Sequence, residues 1–339
     1  HGRFIKQFIG GIMKAAWYKK FGPADEVINV GDFETPEPQV GEVKIRVYAS
    51  GVNPSDTKKR LGANPALLDD GPVIPNSDGA GDIVAVGDGV SPDRIGERVW
   101  IYNAQYGRQL GTSAESVCVP SNYAVVLPNN ADYNTGAMMG IPAMTAHRCV
   151  FADGDVGSQI VLVTGGAGRV GYYAVQWAKQ NGATVIATAS SESSAEQCTN
   201  AGADLVVGHP SGESAKEILE YTNGKKIDRV VEGDFGANLL PILDVLKTSG
   251  TIATYSSMSD MNPSIPFIRM MFMDITLRMV LVYAMPVQAI EHASRDITKM
   301  LSEDRLDNRV AKVYSLDDSA SAHELIESGK VYGSVIITP

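Results

Sequence analysis

Apolar and polar positions follow two rhythms along the chain. Between Met13 and about Asp132 the apolar residues are short, alternating and broken by turns: Val43-Lys44-Ile45-Arg46-Val47-Tyr48 has period two, and Gly81 to Gly87 encloses a short apolar run. Period two sends alternate side chains to opposite faces of a strand, so this segment predicts an antiparallel β region. Prolines at 36, 38, 54, 65, 72, 75 and 92 interrupt it, as in a barrel-like domain with long irregular connections. From Gly157 the rhythm changes. Apolar strands at 159–164, 184–189, 204–208, 228–232 and 250–255 alternate with helical stretches, the signature of βαβ units and a parallel sheet. The helix after the first of these strands places Val170, Tyr173, Ala174 and Trp177 on one face and stops at Asn181-Gly182. One more helical pattern follows from about Met285, and Gly333-Ser-Val-Ile-Ile-Thr reads as a terminal strand that returns to the first domain.

With 339 residues the chain can bury two cores. Acidic residues outnumber basic ones 39 to 29, and a net charge of −10 repels polyphosphate backbones, so no nucleic-acid partner is expected. Cys118, Cys149 and Cys198 are odd in number and far apart, which suggests neither a disulfide framework nor a zinc knuckle and points to a reduced, cytoplasmic protein. The most apolar stretch, Pro266 to Pro286, carries Arg269, Asp274 and Arg278, so no membrane span is expected. Residues 1–12 precede Met13-Lys-Ala-Ala-Trp and read as a tag or upstream extension.

Candidate chemistry begins where the strand 159–164 runs into Gly165-Gly166-Ala167-Gly168-Arg169-Val170-Gly171 and then a helix. Glycines there let the backbone turn tightly and approach a pyrophosphate, whose charge is met by the helix N-terminus. The spacing differs from GxGxxG, yet its place between strand and amphipathic helix, within βαβ units, predicts a dinucleotide site; no Gly-Lys-Ser/Thr follows, so it is not a nucleoside-triphosphate loop. About 20 residues beyond such a loop an acid would bind the adenosine ribose of NAD. Here Ser190, Ser191 and Ser194 occupy that region, which favours NADP(H); Glu192, one register step away, keeps NAD(H) open. Arg169 is either a phosphate partner or a solvent-facing side chain.

The segments Gly51-Val-Asn-Pro-Ser-Asp-Thr, Pro75-Asn-Ser-Asp-Gly-Ala-Gly, Ala85-Val-Gly, Gly96-Glu-Arg-Val, Gly140-Ile-Pro-Ala-Met-Thr-Ala, the Gly165–Gly171 loop and Gly333-Ser-Val-Ile-Ile stand in one order across nearly the whole chain. Together they make it resemble the zeta-crystallin-like NADPH:quinone oxidoreductases, a zinc-free branch of the medium-chain dehydrogenase/reductase superfamily. The resemblance implies an α/β protein: a GroES-like β-barrel catalytic domain at 13–136 and 285–339, a Rossmann domain with a doubly wound parallel sheet at 137–284, and a cleft between them. Zinc-containing relatives carry Cys, His-Glu and Cys ligands; Asn53, Ser77-Asp78 and Ile141 stand at or near those positions here, so no zinc is expected. A quinone or enone needs no Lewis acid, because its accepting carbon is already electrophilic.

By the same resemblance, Asn53 lines the nicotinamide and its ribose, Thr145 sits near the nicotinamide, and Tyr255-Ser256 walls the cofactor. Asn53 also suits a turn, Thr145 a back-bond within its helix, and Asp56 either an orienting role or a helix cap. Lys58, Lys59 and Arg60 replace a family tyrosine region; this basic stretch is either a solvated face or, at the cleft mouth, an attractor of an anionic handle such as coenzyme A phosphate, with Asp56, Lys58 and Arg60 expected at the substrate cleft. The family's frequent 2′-phosphate Lys and Tyr align with Ser194 and His209, and Lys330 could compensate. His147 reads as a packed or surface residue, and Tyr221-Thr-Asn-Gly-Lys225 as a turn despite its YxxxK spacing. The run Thr276–Tyr283 is a candidate edge strand for a homodimer. Expected activity is hydride transfer from NADPH to a quinone; an enoyl or alkenal reductase, with or without a CoA thioester, and a non-enzymatic NADPH-binding protein are the alternatives.

Overall fold

A computed structural model describes residues 11–339, which divide into two compact units, 11–141 with 308–339, and 142–307. Positions 1–10 of the expected extension lie outside the described residues, whereas Ile12 already belongs to the first strand. That strand, β1 (Ile12–Trp17), pairs antiparallel with β2 (Asn29–Glu34). β3 (Glu42–Val52) buries Val43, Ile45 and Val47 on one face, as its period-two pattern predicts. Helix α1 (Pro54–Arg60) follows, opened by Pro at its first position, where the missing N–H costs nothing. β4 (Asp78–Val86), β5 (Arg98–Ile101), β6 (Ser116–Pro120) and β7 (Ala124–Val126) complete an antiparallel sheet in which β3 pairs with both β4 and β6.

The second unit opens with α2 (Met144–Phe151) and then alternates strand and helix: β8 (Ile160–Val163), α3 (Arg169–Gln180), β9 (Thr184–Thr188), α4 (Glu192–Ala201), β10 (Leu205–Val207), α5 (Gly212–Tyr221), β11 (Ile227–Glu232), α6 (Phe235–Val245) and β12 (Leu246–Thr254). β13 (Thr276–Met279) closes a six-stranded parallel sheet in the order β10-β9-β8-β11-β12-β13, the doubly wound order of a Rossmann sheet. One row of the ladder, Leu205, Ile186, Leu162, Val230, Ile252 and Leu277, crosses all six strands. Ile218 from α5 and Phe235, Leu239 and Ile242 from α6 pack in the core that this row helps to form.

Helix α3 buries more than the expected stripe: Tyr172, Val175 and Gln176 are buried as well as Tyr173, Ala174 and Trp177. The reason is a second neighbour, α2, and Trp177 Nε1 donates a hydrogen bond to the O of its N-cap residue, Ala143, 3.3 Å away. The edge strand is shorter than the run 276–283 suggested, because the chain turns again at Val282–Ala284.

Helix α7 (Val287–Ser302) belongs to the second unit, where an expected boundary at 285 would have given it to the first. It buries Ala293, Ile297, Met300 and Leu301 and packs on α2, which moves the boundary to 307. The earlier boundary lies at 141 rather than 136, since Ile141 is tied by its N–H to Asp78. The chain then returns as β14 (Val310–Ser315), α8 (Ser319–Ser328) and β15 (Ser334–Thr338); β15 lies parallel to β14 and antiparallel to β3, as the terminal strand was expected to do. Among the described residues no helix is long and apolar enough to cross a membrane.

Candidate functional site

In the second unit, β8 ends at the point where strand order reverses, the place where open α/β sheets bind ligands. Gly165 there has φ +61°, a left-handed conformation that glycine adopts without steric cost. Its N–H donates to Thr188 Oγ1 at 2.9 Å, and the Gly166 N–H donates to Thr188 O at 3.1 Å, so the tip of β9 fixes the loop. Gly168 caps α3 without a side chain, leaving first-turn amides of the kind that receive a phosphate. A Cβ on Gly171 would stand 2.2 Å from Gly165 O, so the first turn of α3 packs on the loop only as glycine. Arg169 and Val170, both half-buried, start the helix. The Arg169 charge acts on Tyr255, whose phenol burial pushes well above its ordinary range.

Thr164, Gly165, Thr188, His209, Asp234 and Tyr255 line a pocket of about 480 Å³ at the ends of these strands. Glu232, buried at the tip of β11, accepts N–H bonds from Asp234 and from Asn238 Nδ2 and so shapes the adjoining turn; burial pushes its carboxyl up. Neither Thr188 nor Glu232 stood out in the sequence; a polar residue closing each apolar strand was the only signal. Ser256 lines a different pocket, of about 530 Å³, with Arg148, Met261, Met279 and Leu281. These residues fit a dinucleotide: the loop has the tight glycine contact and the uncapped helix start that a pyrophosphate requires.

The serines divide. The Ser191 hydroxyl accepts the Ser194 N–H at 3.2 Å, while Ser194 Oγ accepts the N–H groups of Ser190 and Ser191 at 3.0 and 2.9 Å. Ser194 is therefore buried in the cap of α4, and Ser190, Ser191 and Glu192 are exposed. His209 is exposed on the rim of the smaller pocket. Thr145 is buried in α2. Lys330 belongs to the first unit, exposed just beyond α8.

The first unit gathers a polar hub. Asn53 caps α1; its N–H donates to Asp56 Oδ2 and its Nδ2 to Asp78 Oδ2, both at 2.8 Å. The Ile141 N–H reaches the same Asp78 oxygen at 2.8 Å, and a Cβ on Gly140 would fall 1.9 Å from Asp78 Oδ1. Burial pushes the Asp78 carboxyl up to about 8 and raises Asp56 as well. Lys59 Nζ lies 3.5 Å from Asp56 Oδ1, 3.4 Å from Ser77 Oγ and 3.2 Å from Gln105 O. The i,i+3 spacing of Asp56 and Lys59 was the signal for this contact. The expected basic cluster is not one surface: a helix turns about 100° per residue, so Lys58 is exposed, Lys59 faces the hub, and Arg60 is fully buried against Gly22 O and Glu327. Arg60 thus has no face left for a substrate.

Asn53, Asp78 and Ile141, which align with or near the relatives' zinc ligands, come together here. Their donors are an amide already bonded to the carboxyl, a carboxyl that stays protonated at neutral pH, and a main-chain N–H. Zinc prefers thiolate, imidazole and ionised carboxylate, so this set does not fit it.

Comparison with known proteins agrees with this architecture. A family model for the alcohol dehydrogenase GroES-like domain matches residues 39–129, and one for zinc-binding dehydrogenases matches residues 170–301. The chain is 33% identical to a quinone oxidoreductase of Rattus norvegicus over 247 residues, covering 71% of this chain and 72% of the rat protein. It is 27% identical to a 2-haloacrylate reductase of a Burkholderia species over 340 residues, 97% of this chain and 99% of that one. A mycobacterial structure complexed with NADPH superposes with a TM-score of 0.83 at 26% identity, covering 96% of this chain and all of the other. With its GroES-like and Rossmann units, the chain is an oxidoreductase that belongs to the quinone oxidoreductase family of the medium-chain dehydrogenase/reductase superfamily.

Proposed function

We propose that this enzyme uses NADPH to reduce a quinone or a similar conjugated carbonyl, without zinc. The observation that carries the reading is the Gly165–Gly171 loop at the reversal of strand order, opening on a pocket whose rim offers hydroxyls and His209 in place of an acid at the tip of β9. The NADPH in the mycobacterial relative supports the cofactor. When bound, a reduced nicotinamide supplies two electrons and a hydrogen to the acceptor. The chain does the positioning. Gly165, Gly168 and Gly171 admit the pyrophosphate, the amides beginning with Arg169 and Val170 meet its charge, and Ser190, Ser191 and His209 accommodate the 2′-phosphate. Tyr255 closes the pocket wall, while Ser256 next to it faces the neighbouring pocket with Arg148 and Met279. Asn53, its amide held by Asp78 and its backbone by Asp56, and Thr145 are assigned to the nicotinamide end. Ser194 and Arg60 are left out, because the α4 cap and the Glu327 pair occupy them.

A second reading, reduction of an activated C=C, draws support from the 2-haloacrylate reductase relative. A CoA thioester fits it less well, since Lys58 is the one exposed cation of its trio. The test is the oxidation of NADPH and of NADH with 1,4-benzoquinone, 2-chloroacrylate and crotonyl-CoA in parallel. Turnover of the quinone with NADPH is expected; turnover of the acrylate alone moves the function to alkene reduction, and silence with every pair removes both readings.

The same reading includes a cytoplasmic homodimer joined through the edge at 276–283. β13 pairs with β12 on one side, and Met279 and Leu281 beside it are exposed. An unpaired apolar edge is a liability that a two-fold partner removes. The three cysteines are buried thiols, which suits a reducing compartment.

A further inference from the structure

Outside the cofactor loop and the Asn53–Asp78 hub, one group of side chains has the chemistry of a metal site. His147 projects from α2; His292 and Asp296 stand one turn apart on α7, the i,i+4 spacing that puts both on the same face. His147 Nε2 lies 2.7 Å and His292 Nε2 3.1 Å from one oxygen, Asp296 Oδ2. One ligand atom from each of the three residues falls within 4.8 Å of the others. We infer that His147, His292 and Asp296 bind one divalent transition-metal ion of the zinc type, which ties α2 to α7.

The two contacts to Asp296 need little adjustment. Zinc bonds of about 2.0–2.2 Å in a tetrahedron put neighbouring ligand atoms roughly 3.3–3.5 Å apart. The two hydrogen bonds to Asp296 therefore open by less than about an ångström to admit the ion. The rings are already held: His147 meets His292 at 88° with centroids 4.8 Å apart and stands edge-on to Trp177 at 5.1 Å, with Phe151 at 4.8 Å. Asp296 also borders a pocket of about 140 Å³ lined by Asn181, Lys299 and Arg305, with room for water or hydroxide as a fourth ligand. Its two cations favour hydroxide or another anion there. Two imidazoles and one carboxylate form a donor set suited to zinc, cobalt, nickel and copper. This site is in the second unit, and the hub aligned with the relatives' zinc ligands is in the first.

The probe is Co²⁺ alone, titrated into the metal-stripped full-length enzyme and followed by visible absorption, with Zn²⁺ as competitor. One Co²⁺ per chain is expected, displaced by Zn²⁺. His292 is half-exposed and Asp296→Asn keeps the side-chain shape, so H292A and D296N should fold, as circular dichroism would show, while each weakens Co²⁺ binding by at least about tenfold. Equal affinity in wild type and in H292A/D296N would overturn the assignment. A thiolate-to-cobalt charge-transfer band would also overturn it, by placing the ion on Cys118, Cys149 or Cys198.

Discussion

In the second unit the candidate loop is seven consecutive residues, and what it offers a ligand is main chain: amides, a left-handed glycine and a helix start with no side-chain cap. In the first unit the hub draws on residues 53, 56, 59, 78 and 141, and what it offers is side chains with their charges buried. The loop works by leaving space. The hub works by filling space, with Asp78 joined to Asn53 and Ile141 from distant parts of the sequence and Asp56 to Asn53 and Lys59 close by. Backbone sites of the first kind tolerate no added atom, whereas side-chain hubs tolerate changes of shape poorly and respond strongly to protonation.

The sharpest way to break the comparison is at Gly171. A side chain there would enter the Gly165 carbonyl at 2.2 Å, a main-chain atom that cannot swing aside. Gly171→Val is expected to weaken NADPH binding by more than about a hundredfold and to lower stability by about 3 kcal/mol, the upper end for overpacking. Calorimetric titration and urea denaturation read the two effects. Near-normal binding would show that the loop has slack and that the close contact is not what shapes the site.

The hub is tested by pH. Asp78 has a folded pKa of about 8 against an ordinary 3.8, so between those values the folded state holds a proton that the unfolded state has released. Stability from this group is complete below about pH 4 and is lost as pH rises through 8, with Asp56 adding in the same direction. His323, buried beside Asn76, has the opposite slope. Burial lowers it from 6.5 to about 3, so stability from His323 is complete above pH 6.5 and lost as pH falls toward 3. Unfolding free energies from urea titrations between pH 5 and 9 should fall by about 2 kcal/mol as pH rises toward 8, an order-of-magnitude figure. Asp78→Asn should flatten that limb and leave the acid limb to His323. A D78N profile that still declines above pH 7 would place the alkaline limb elsewhere.

The same contrast separates what the sequence made legible from what it did not. The strand, loop and helix at 160–180 were readable because the site and its signal are contiguous. So was the turn within Tyr221–Lys225, where Asn223 and Gly224 take φ +53° and +80°. The terminal strand was readable from its apolar run and pairs with β3 as expected. Arg60 was misplaced because a run of three cations looks like a patch in one dimension, while a helix sends its members in three directions. Helix α7 was given to the wrong unit because amphipathic spacing marks a buried face without naming its partner. Asp78 was aligned with the zinc ligands, but its role as a common acceptor for Asn53 and Ile141 required contacts across 25 and 63 residues.

Ser191 tests the boundary between the two kinds of site most finely, since it follows β9, whose tip fixes the backbone loop, while its hydroxyl already works as a side chain. Its oxygen accepts the Ser194 N–H at 3.2 Å and caps α4. Ser191→Ala should therefore cost about 1 kcal/mol of stability even without ligand, the ordinary worth of an N-cap. If the hydroxyl only caps, NADPH and NADH affinities fall together or not at all. If it also meets the 2′-phosphate, NADPH weakens by several-fold while NADH is unchanged, the loss of one hydrogen bond to a charged group. The proposed cofactor role requires the second result, read as the ratio of the two dissociation constants. An unchanged ratio would return Ser191 to the cap alone and leave Ser190 and His209 to distinguish the two cofactors.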